Sequence, residues 1–220
     1  MICAIITIIL GFLDDAINLK WQVKLIVQLI ILIFLSEIFW DRITSVTYFI
    51  YNFELSNFSL FPIFVIWFIG IYNAVNLIDG MDGLATGYVL LVTLLGLNVS
   101  QSEYYDIHLI LFLLLLGYII FNQRPAKIFM GDSGSLLLGF HLAVMPLLYF
   151  DLTKNSSELI MTPFVLVISF LVADTSRVFL TRIFTGKNPM NADTIHFHHI
   201  LLKSSGSYLS TLMMINVLTL

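Results

Sequence analysis

Eight apolar runs, separated by short polar breaks, limit what this chain can fold into more than any other feature. The runs cover residues 2–13, 23–39, 60–78, 84–99, 107–121, 135–150, 159–181 and 208–220. Hydrophobic residues make up 59% of the sequence and charged residues 11%, whereas about a quarter of a soluble domain is charged. Since a membrane-crossing helix needs roughly 20 apolar residues, we predict an all-α, polytopic transmembrane helical bundle of about eight segments, the first and last truncated.

Helices are expected in these runs because an open strand in lipid leaves backbone groups without hydrogen-bond partners. The sequence has no internal repeat and no low-complexity linker, so residues 1–220 are expected to form a single membrane domain. The net charge of −4, without clustered Lys and Arg, argues against nucleic-acid binding.

The basic residues predict the orientation of the chain. If the segments alternate in direction, eight of the ten basic residues fall on one side of the membrane, which the positive-inside rule assigns to the cytoplasm. Carboxylates beside a bilayer are unfavourable and usually mark a cation or a reaction site. Three aspartate-bearing breaks fall on that same side: Asp14-Asp15, Asp79-x-x-Asp82 and Gly131-Asp132.

The first break carries the adjacent carboxylates Asp14 and Asp15, followed by Lys20 and Lys24. Neighbouring carboxylates repel each other unless a cation lies nearby. Such a pair can bind Mg2+ together with phosphate oxygens, or hold a base. A solvated helix end with interfacial acids and lysines is the alternative.

The second break puts Asn73, Asn76, Asp79 and Asp82 into an apolar run, with Gly83 following. Carboxylate and amide oxygens are hard ligands suited to Mg2+, and glycine permits close approach of a ligand to the backbone. An ordinary interfacial turn would need fewer polar residues, so a metal site is favoured here.

The third break places Asp132 between glycines, just before an apolar helix that Ser133 or Ser135 could cap. A helix N-terminus favours anions, and Arg124 and Lys127 add positive charge. Phosphate is therefore the expected ligand, with an ordinary helix cap as the alternative.

The last polar segment holds three histidines within four residues: His196, His198 and His199. Contact with a phosphate or a sugar is favoured over zinc binding, because a structural zinc site needs four ligands. Arg182 and Lys187 would contribute charge. An exposed polar loop is the alternative.

Four motifs in order, GFLDD, NAVNLIDGMDGLA, FNQRPAKIFMGDSGSLLLG and NADTIHFHHIL, resemble those of the polyprenyl-phosphate N-acetylhexosamine-1-phosphate transferases. This family includes phospho-MurNAc-pentapeptide translocase, and HFHH looks more like its undecaprenyl-phosphate GlcNAc-1-phosphate transferase branch. The resemblance implies that a UDP-N-acetylhexosamine gives its sugar 1-phosphate to undecaprenyl phosphate, releasing UMP. It implies Mg2+ as cofactor, with Mn2+ as a substitute, and the first membrane step of a cell-envelope polysaccharide at the cytoplasmic face of the bacterial inner membrane.

The resemblance also implies roles for individual residues. The metal site is matched by Asn76 and Asp132. The uridine pocket is matched by Asp82, Gly83, Asn122 and Phe129, with the Phe129 ring stacked on uracil. The groups implied in catalysis and phosphate binding are Asp14 and Asp15 near the lipid phosphate, Lys24 on the diphosphate, Asp79 in support, and His196, His198 and His199 at the sugar and phosphates.

Several alternatives stay open at this point. The chain is shorter than the enzymes it resembles, so a fragment, a split gene product or an inactive remnant is expected as an alternative, as is a non-catalytic partner. A carboxylate-based cation transporter is the rival from another class, although transport predicts acids near the bilayer midplane. Expected partners are the UDP-sugar, undecaprenyl phosphate and the bilayer, with a homodimer as a candidate assembly.

Overall fold

The computed structural model describes residues 2–39, 45–48, 51–54, 57–99, 105–148, 158–160, 162–186, 196–208, 210–211 and 214–215. Its helices are α1 (Ile2–Ile17), α2 (Trp21–Phe39), α3 (Asn57–Ile78), α4 (Leu84–Val99), α5 (Tyr105–Asn122), α6 (Gly131–Leu148), α7 (Thr162–Val167), α8 (Ser169–Phe184) and α9 (Phe197–Ser205). Its strands are β1 (Ser45–Tyr48), β2 (Tyr51–Glu54) and β3 (Glu158–Ile160).

Most of the apolar runs are helical, as predicted, and the chain is a multi-pass membrane protein. Within the described ranges, four helices are long and apolar enough to cross a membrane: Trp21–Ile38, Phe61–Ile78, Tyr105–Asn122 and Gly131–Leu148. The predicted count of eight segments is not confirmed. The run 159–181 is divided among β3, α7 and α8, and most of the run 208–220 lies outside the described residues.

Helix α6 packs against both α1 and α3 and forms the centre of the fold. Two glycines permit this approach. A Cβ added at Gly139 would collide with the backbone carbonyl of Tyr72 in α3, and one added at Gly11 would collide with the backbone of Ser133 in α6. Small residues let membrane helices come this close. As a result, the end of α1 lies directly against the start of α6.

The all-α prediction did not include a small sheet of order β2-β1-β3. Strands β1 and β2 lie between two apolar runs, whereas β3 overlaps the start of the run 159–181. Strand β1 pairs antiparallel with β2 and parallel with β3. Because β1 and β2 follow α2 while β3 follows α6, the pairing places these two connections at the same end of the bundle. This is the relation that alternating segments predict.

An amide pair joins α2 to α3. Gln28 Nε2 donates to Asn73 Oδ1 at 3.0 Å, and Asn73 Nδ2 donates to Gln28 Oε1 at 2.8 Å. Gln28 is buried. Asn73, although it belongs to the polar motif of the second break, therefore serves helix packing.

Candidate active site

A cavity of about 330 Å3 opens where α1, α3 and α5 end and α6 begins. The described residues that line it include four carboxylates and no Lys, Arg or His. We call it the acidic cavity, and its lining residues are Asp15, Asn76, Asp79, Gly80, Met81, Asp82, Asn122, Phe129, Met130, Gly131 and Asp132. The three aspartate-bearing breaks, far apart in sequence, thus meet at one place.

The two residues expected to bind the metal lie in contact. Asn76 Nδ2 donates to Asp132 Oδ1 at 2.6 Å and to Ser135 Oγ at 2.9 Å. Ser135 Oγ in turn donates to the carbonyl oxygen of Gly131 at 3.0 Å. The start of α6 therefore holds the Asn76 amide beside the Asp132 carboxylate.

Asp15 caps α6 from the neighbouring helix α1. Its Oδ1 accepts from the Asp132 N–H at 2.7 Å, and its Oδ2 accepts from Ser133 N–H at 3.2 Å and Ser133 Oγ at 2.9 Å. Gly131 has a φ of 66°, and a Cβ there would lie 2.8 Å from Asp15 Oδ2, so glycine suits the position.

The prediction that Ser133 or Ser135 caps α6 is wrong. The helix begins at Gly131, before both serines, so each lies inside its first turns rather than at its end. The unpaired N–H groups of the first turn, which attract anions, face a carboxylate of the chain itself. A phosphate expected at this helix N-terminus would have to displace Asp15 or bind beside it.

Asp14 and Lys24 form an ion pair next to the acidic cavity. Asp14 is 3% exposed, and its Oδ2 accepts from Lys24 Nζ at 2.6 Å while its Oδ1 accepts from the Leu19 N–H at 2.8 Å. The negative charge of Asp14 also acts on the Asp132 carboxyl. Lys24 was expected to bind a diphosphate. In the structure it forms an ion pair with Asp14 and does not line the cavity.

Asp79 lies just beyond α3, where burial and the neighbouring acids shift its pKa. Burial, followed by the negative charges of Asp132 and Asp82, raises the pKa of Asp79 from 3.8 to about 7. Like charges and loss of solvent both favour the neutral acid. A cation among these carboxylates would favour the ionised form instead.

Of the residues expected to bind the nucleotide, some hold helices together and others are exposed to a ligand. Asn122 Oδ1 accepts from Thr86 Oγ1 at 2.7 Å and from the Gly83 N–H at 3.2 Å, so Asn122 ties the start of α4 to the end of α5. Gly83 does not line the cavity, and its φ of 72° suits glycine. Phe129, by contrast, is 79% exposed and lines the cavity, so its ring can stack on a ligand.

The donor set suits Mg2+ in its chemistry. In the part of the chain that the structure describes, no group of three or more His, Cys, Asp and Glu side chains forms a ready-made metal site. Mg2+ is usually held by one or two protein carboxylates, with water and substrate phosphates completing its coordination. Asp132, with the Asn76 amide beside it in a cavity without basic lining residues, meets this requirement.

Of the three histidines, His196 has a described side chain, and it is not part of the cavity lining. His196 is 2% exposed, and its Nδ1 is 3.0 Å from Asp174 Oδ2. His198 and His199 belong to α9, but their side chains lie outside the described set, as does Lys187. Of the basic residues expected near phosphate, Arg124 lies 4.9 Å over the ring of Tyr208, and neither it, Lys127 nor Arg182 lines the cavity.

Two residues that matter to the site were given no role from sequence. Asp174 lies in the apolar run 159–181, where no function was predicted for it, although Arg177 three residues later is at a spacing that pairs on a helix. Gly11 was quoted in its motif without the reason for a glycine, which is the close approach of α1 to α6. The pairing of Asp174 could have been predicted from its spacing to Arg177. The role of Gly11 could be predicted only by knowing that α1 packs against α6.

Comparison with known proteins gives the chain a family. The family description "Glycosyl transferase family 4" matches residues 1–150, and the chain belongs to this family. The resemblance inferred from the motifs is thereby confirmed.

Particular relatives narrow the comparison. The chain is 33% identical over 205 residues to a probable undecaprenyl-phosphate N-acetylglucosaminyl 1-phosphate transferase of Bacillus subtilis, covering 90% of this chain and 56% of that protein. It is 29% identical over 215 residues to an undecaprenyl-phosphate alpha-N-acetylglucosaminyl 1-phosphate transferase of Thermotoga maritima, covering 94% and 62%. A phospho-N-acetylmuramoyl-pentapeptide-transferase of Streptococcus pyogenes is 33% identical over 151 residues, covering 62% and 45%. The chain thus spans less than two thirds of the length of these proteins.

Proposed function

We propose that the chain transfers N-acetylhexosamine 1-phosphate from a UDP-sugar to undecaprenyl phosphate and releases UMP. An oxygen of the lipid phosphate attacks the β-phosphorus of the UDP-sugar, and the bond from that phosphorus to the bridging oxygen of UMP breaks. The observation that carries the proposal is the acidic cavity, where four carboxylates meet without a basic lining residue among those described. Such a cavity suits a divalent cation, and a cation is what two anionic reactants need to approach each other.

Asp132 and Asn76 are the proposed Mg2+-binding residues. When bound, Mg2+ would neutralise the diphosphate and stabilise the charge that develops during transfer. The hydrogen bond from Asn76 to Ser135 holds the amide near the carboxylate. In this proposal, the bond from Asp15 to the first turn of α6 fixes the position of Asp132.

The other proposed contacts follow from what is exposed. The Phe129 ring stacks on uracil, and Asp82, held by the Ala126 N–H at 3.2 Å, contacts the nucleoside. Asp14 and Lys24 lie beside the cavity toward α2, where the lipid phosphate would enter. His198 and His199 are proposed to contact the sugar and the phosphates.

The cytoplasmic face of the bacterial inner membrane is the proposed location of the site. The distribution of the basic residues supports this orientation, and the names of the relatives from Bacillus subtilis and Thermotoga maritima support GlcNAc as the first sugar to test. The product would begin a cell-envelope polysaccharide.

The test is UMP release by the purified chain in vesicles that contain undecaprenyl phosphate, with UDP-GlcNAc and Mg2+. Asp132→Ala should reduce the rate at least about 100-fold, because it removes a proposed ligand of the Mg2+ that would neutralise the reacting phosphates. Asp106→Ala is the matched control, since Asp106 is an exposed acid in the first turn of α5, away from the cavity.

Undiminished release by Asp132→Ala would contradict the proposal. If the chain releases no UMP while the Bacillus subtilis relative does so in the same vesicles, the chain alone is not the enzyme. Cation flux that is lost in Asp132→Ala would favour the transporter instead.

A further inference from the structure

A second buried carboxylate lies outside the acidic cavity, at the contact between α8 and α9. Asp174 is 4% exposed. Its Oδ1 accepts from Arg177 Nη2 at 2.8 Å and from the Phe197 N–H at 2.9 Å, and its Oδ2 lies 3.0 Å from His196 Nδ1. We call these four residues the α8–α9 junction. Because charged groups are buried only when they are paired, this carboxylate is held by donors from both helices.

The junction fixes the N-terminus of α9. The first N–H groups of a helix have no partner within the helix, and here the Phe197 N–H is satisfied by a carboxylate from α8. A negative charge at this end also suits the helix dipole. The ring of Phe197 packs against Phe170 of α8 with centroids 5.8 Å apart. Charge, hydrogen bonding and ring packing therefore act at the same turn.

Helix α9 connects this junction to the acidic cavity. Leu201 and Leu202 pack against a buried cluster that includes Met81 and Leu84, and Met81 lines the cavity. With nine residues, α9 is too short to be stable alone in water. Its position therefore depends on what anchors it at each end.

Asp174 also selects the form of the His196 ring. A carboxylate oxygen accepts from Nδ1, so the neutral imidazole carries its hydrogen on Nδ1 and its lone pair on Nε2. His198 and His199 follow in the first turn of α9. Their backbone positions are therefore set by the same anchor.

We propose that Asp174 is a positioning residue for the histidine segment: it holds His196 and the first turn of α9 against α8, and thereby sets where His198 and His199 approach the substrates. This role rests on the proposed transfer reaction, but the anchoring itself does not. Asp174 touches no reactant in this account and acts through α9.

Hydrogen exchange tests the anchoring whether or not the chain is active. Asp174→Asn keeps the shape and one acceptor for Phe197 but removes the charge and places an amide against His196. Amide exchange in α9 should become about tenfold faster, as expected for the loss of one or two charge-assisted hydrogen bonds, while exchange in α1 stays as in the native chain. Arg177→Gln is the matched variant, because it leaves the Asp174 bonds to α9 in place, and it should change α9 exchange less than Asp174→Asn does.

Unchanged exchange in α9 of Asp174→Asn would overturn the proposal. A rise spread equally over all helices would also overturn it, since Asp174 would then serve the whole fold. Asp174→Glu, which retains the carboxylate, should return α9 exchange toward the native rate.

Kinetics separate positioning from binding if the chain is active. Asp174→Asn should lower kcat about tenfold, and UDP affinity should stay within about twofold of native, because the acidic cavity is intact. Lost UDP affinity with unchanged kcat would contradict the positioning role. An inactive native chain with the expected exchange pattern would mean that the transfer reaction fails and the anchor stands.

Discussion

The acidic cavity and the α8–α9 junction both bring charged groups together beside the end of a helix, but they neutralise the charge differently. At the junction, Asp174 is matched by Arg177, His196 and a backbone N–H. In the cavity, Asp79, Asp82 and Asp132 face one another, and no described Lys, Arg or His lines the space. A carboxylate is called matched here when basic groups of the chain balance its charge, and such a carboxylate is explained by the fold. A group of unmatched carboxylates requires a cation from outside the chain.

The adjacent residues Asp14 and Asp15 also differ in which groups neutralise their negative charges. Asp14 is buried and paired with Lys24, while Asp15 is exposed and accepts from the first turn of α6. Being next to each other in sequence, they were expected to act as a pair near the lipid phosphate. In the structure they face different partners.

The largest expected effect on stability comes from breaking the ion pair between Asp14 and Lys24. Asp14→Ala leaves Lys24 without its carboxylate in a largely buried position, so the free energy of unfolding should fall by about 3 kcal/mol. Denaturant unfolding in detergent micelles, followed by circular dichroism, measures this loss.

Asp15→Asn is the control for Asp14→Ala. The amide oxygen can still accept from α6, and the lost charge at a helix N-terminus is worth about 1 kcal/mol or less. If the two variants lost equal stability, the distinction between the matched and the capping carboxylate would be wrong.

The next effect concerns the placement of α6, on which the cavity depends. A Cβ at Gly139 meets the backbone of Tyr72, whereas a Cβ at Gly70 meets nothing within 4 Å. Gly139→Ala should therefore lower the free energy of unfolding by about 2 kcal/mol through overpacking. Gly70→Ala should leave it unchanged or slightly raised. Equal stability of the two variants would show that α6 does not need this approach to α3.

Smaller effects are expected at Asn73 and Asn76, which lie three residues apart on α3 and have different roles. Asn73→Ala removes the amide pair with Gln28 and should lower the free energy of unfolding by about 1 kcal/mol, with Mg2+ affinity unchanged. Asn76→Ala should weaken Mg2+ binding at least about tenfold. Thermal unfolding and a metal titration on both variants check this, and the reverse pattern would exchange their roles.

Much of this arrangement could be predicted from the sequence. The apolar runs indicated the helices, and the alternation of segments indicated that the three aspartate-bearing breaks share one face. The family resemblance, rather than the pattern, joined Asn76 and Asp132 in one metal site. What could not be predicted is the side chain that each polar group faces. Asn73 and Asn76 are the same residue type in one motif, and only the positions of α2 and α6 assign one to packing and the other to Asp132.

The histidine segment shows the same limit. Its composition indicated phosphate or sugar contact, yet His196 faces Asp174, a residue 22 positions earlier. A sequence pattern shows which groups are available, but not which of them another buried charge will bind. The small sheet was missed because β1 and β2 lie between the apolar runs on which the prediction was based, and because β3 lies at the start of a run that was predicted to be helical.

A separate effect is a dependence of stability on pH. The pKa of Asp79 is about 7 in the fold and 3.8 in the unfolded reference, so the folded chain binds this proton more tightly. Its contribution to stability is therefore present at low pH and is lost as pH rises through 7. Without divalent cations, Asp79→Asn should raise the melting temperature relative to the native chain more at about pH 8 than at about pH 5. A difference that is independent of pH would mean that the Asp79 pKa is not raised.

The most direct measurement is a Mn2+ titration by electron paramagnetic resonance, in the presence of UDP, on the native chain, Asp132→Asn and Asp174→Asn. Both substitutions remove one negative charge from an aspartate carboxylate, but only Asp132 belongs to the acidic cavity. The account predicts that Asp174→Asn binds the ion as the native chain does, and that Asp132→Asn binds it at least about tenfold more weakly. Equal affinity in all three proteins, or an equal loss in both variants, would contradict the claim that the unmatched carboxylates form the cation site.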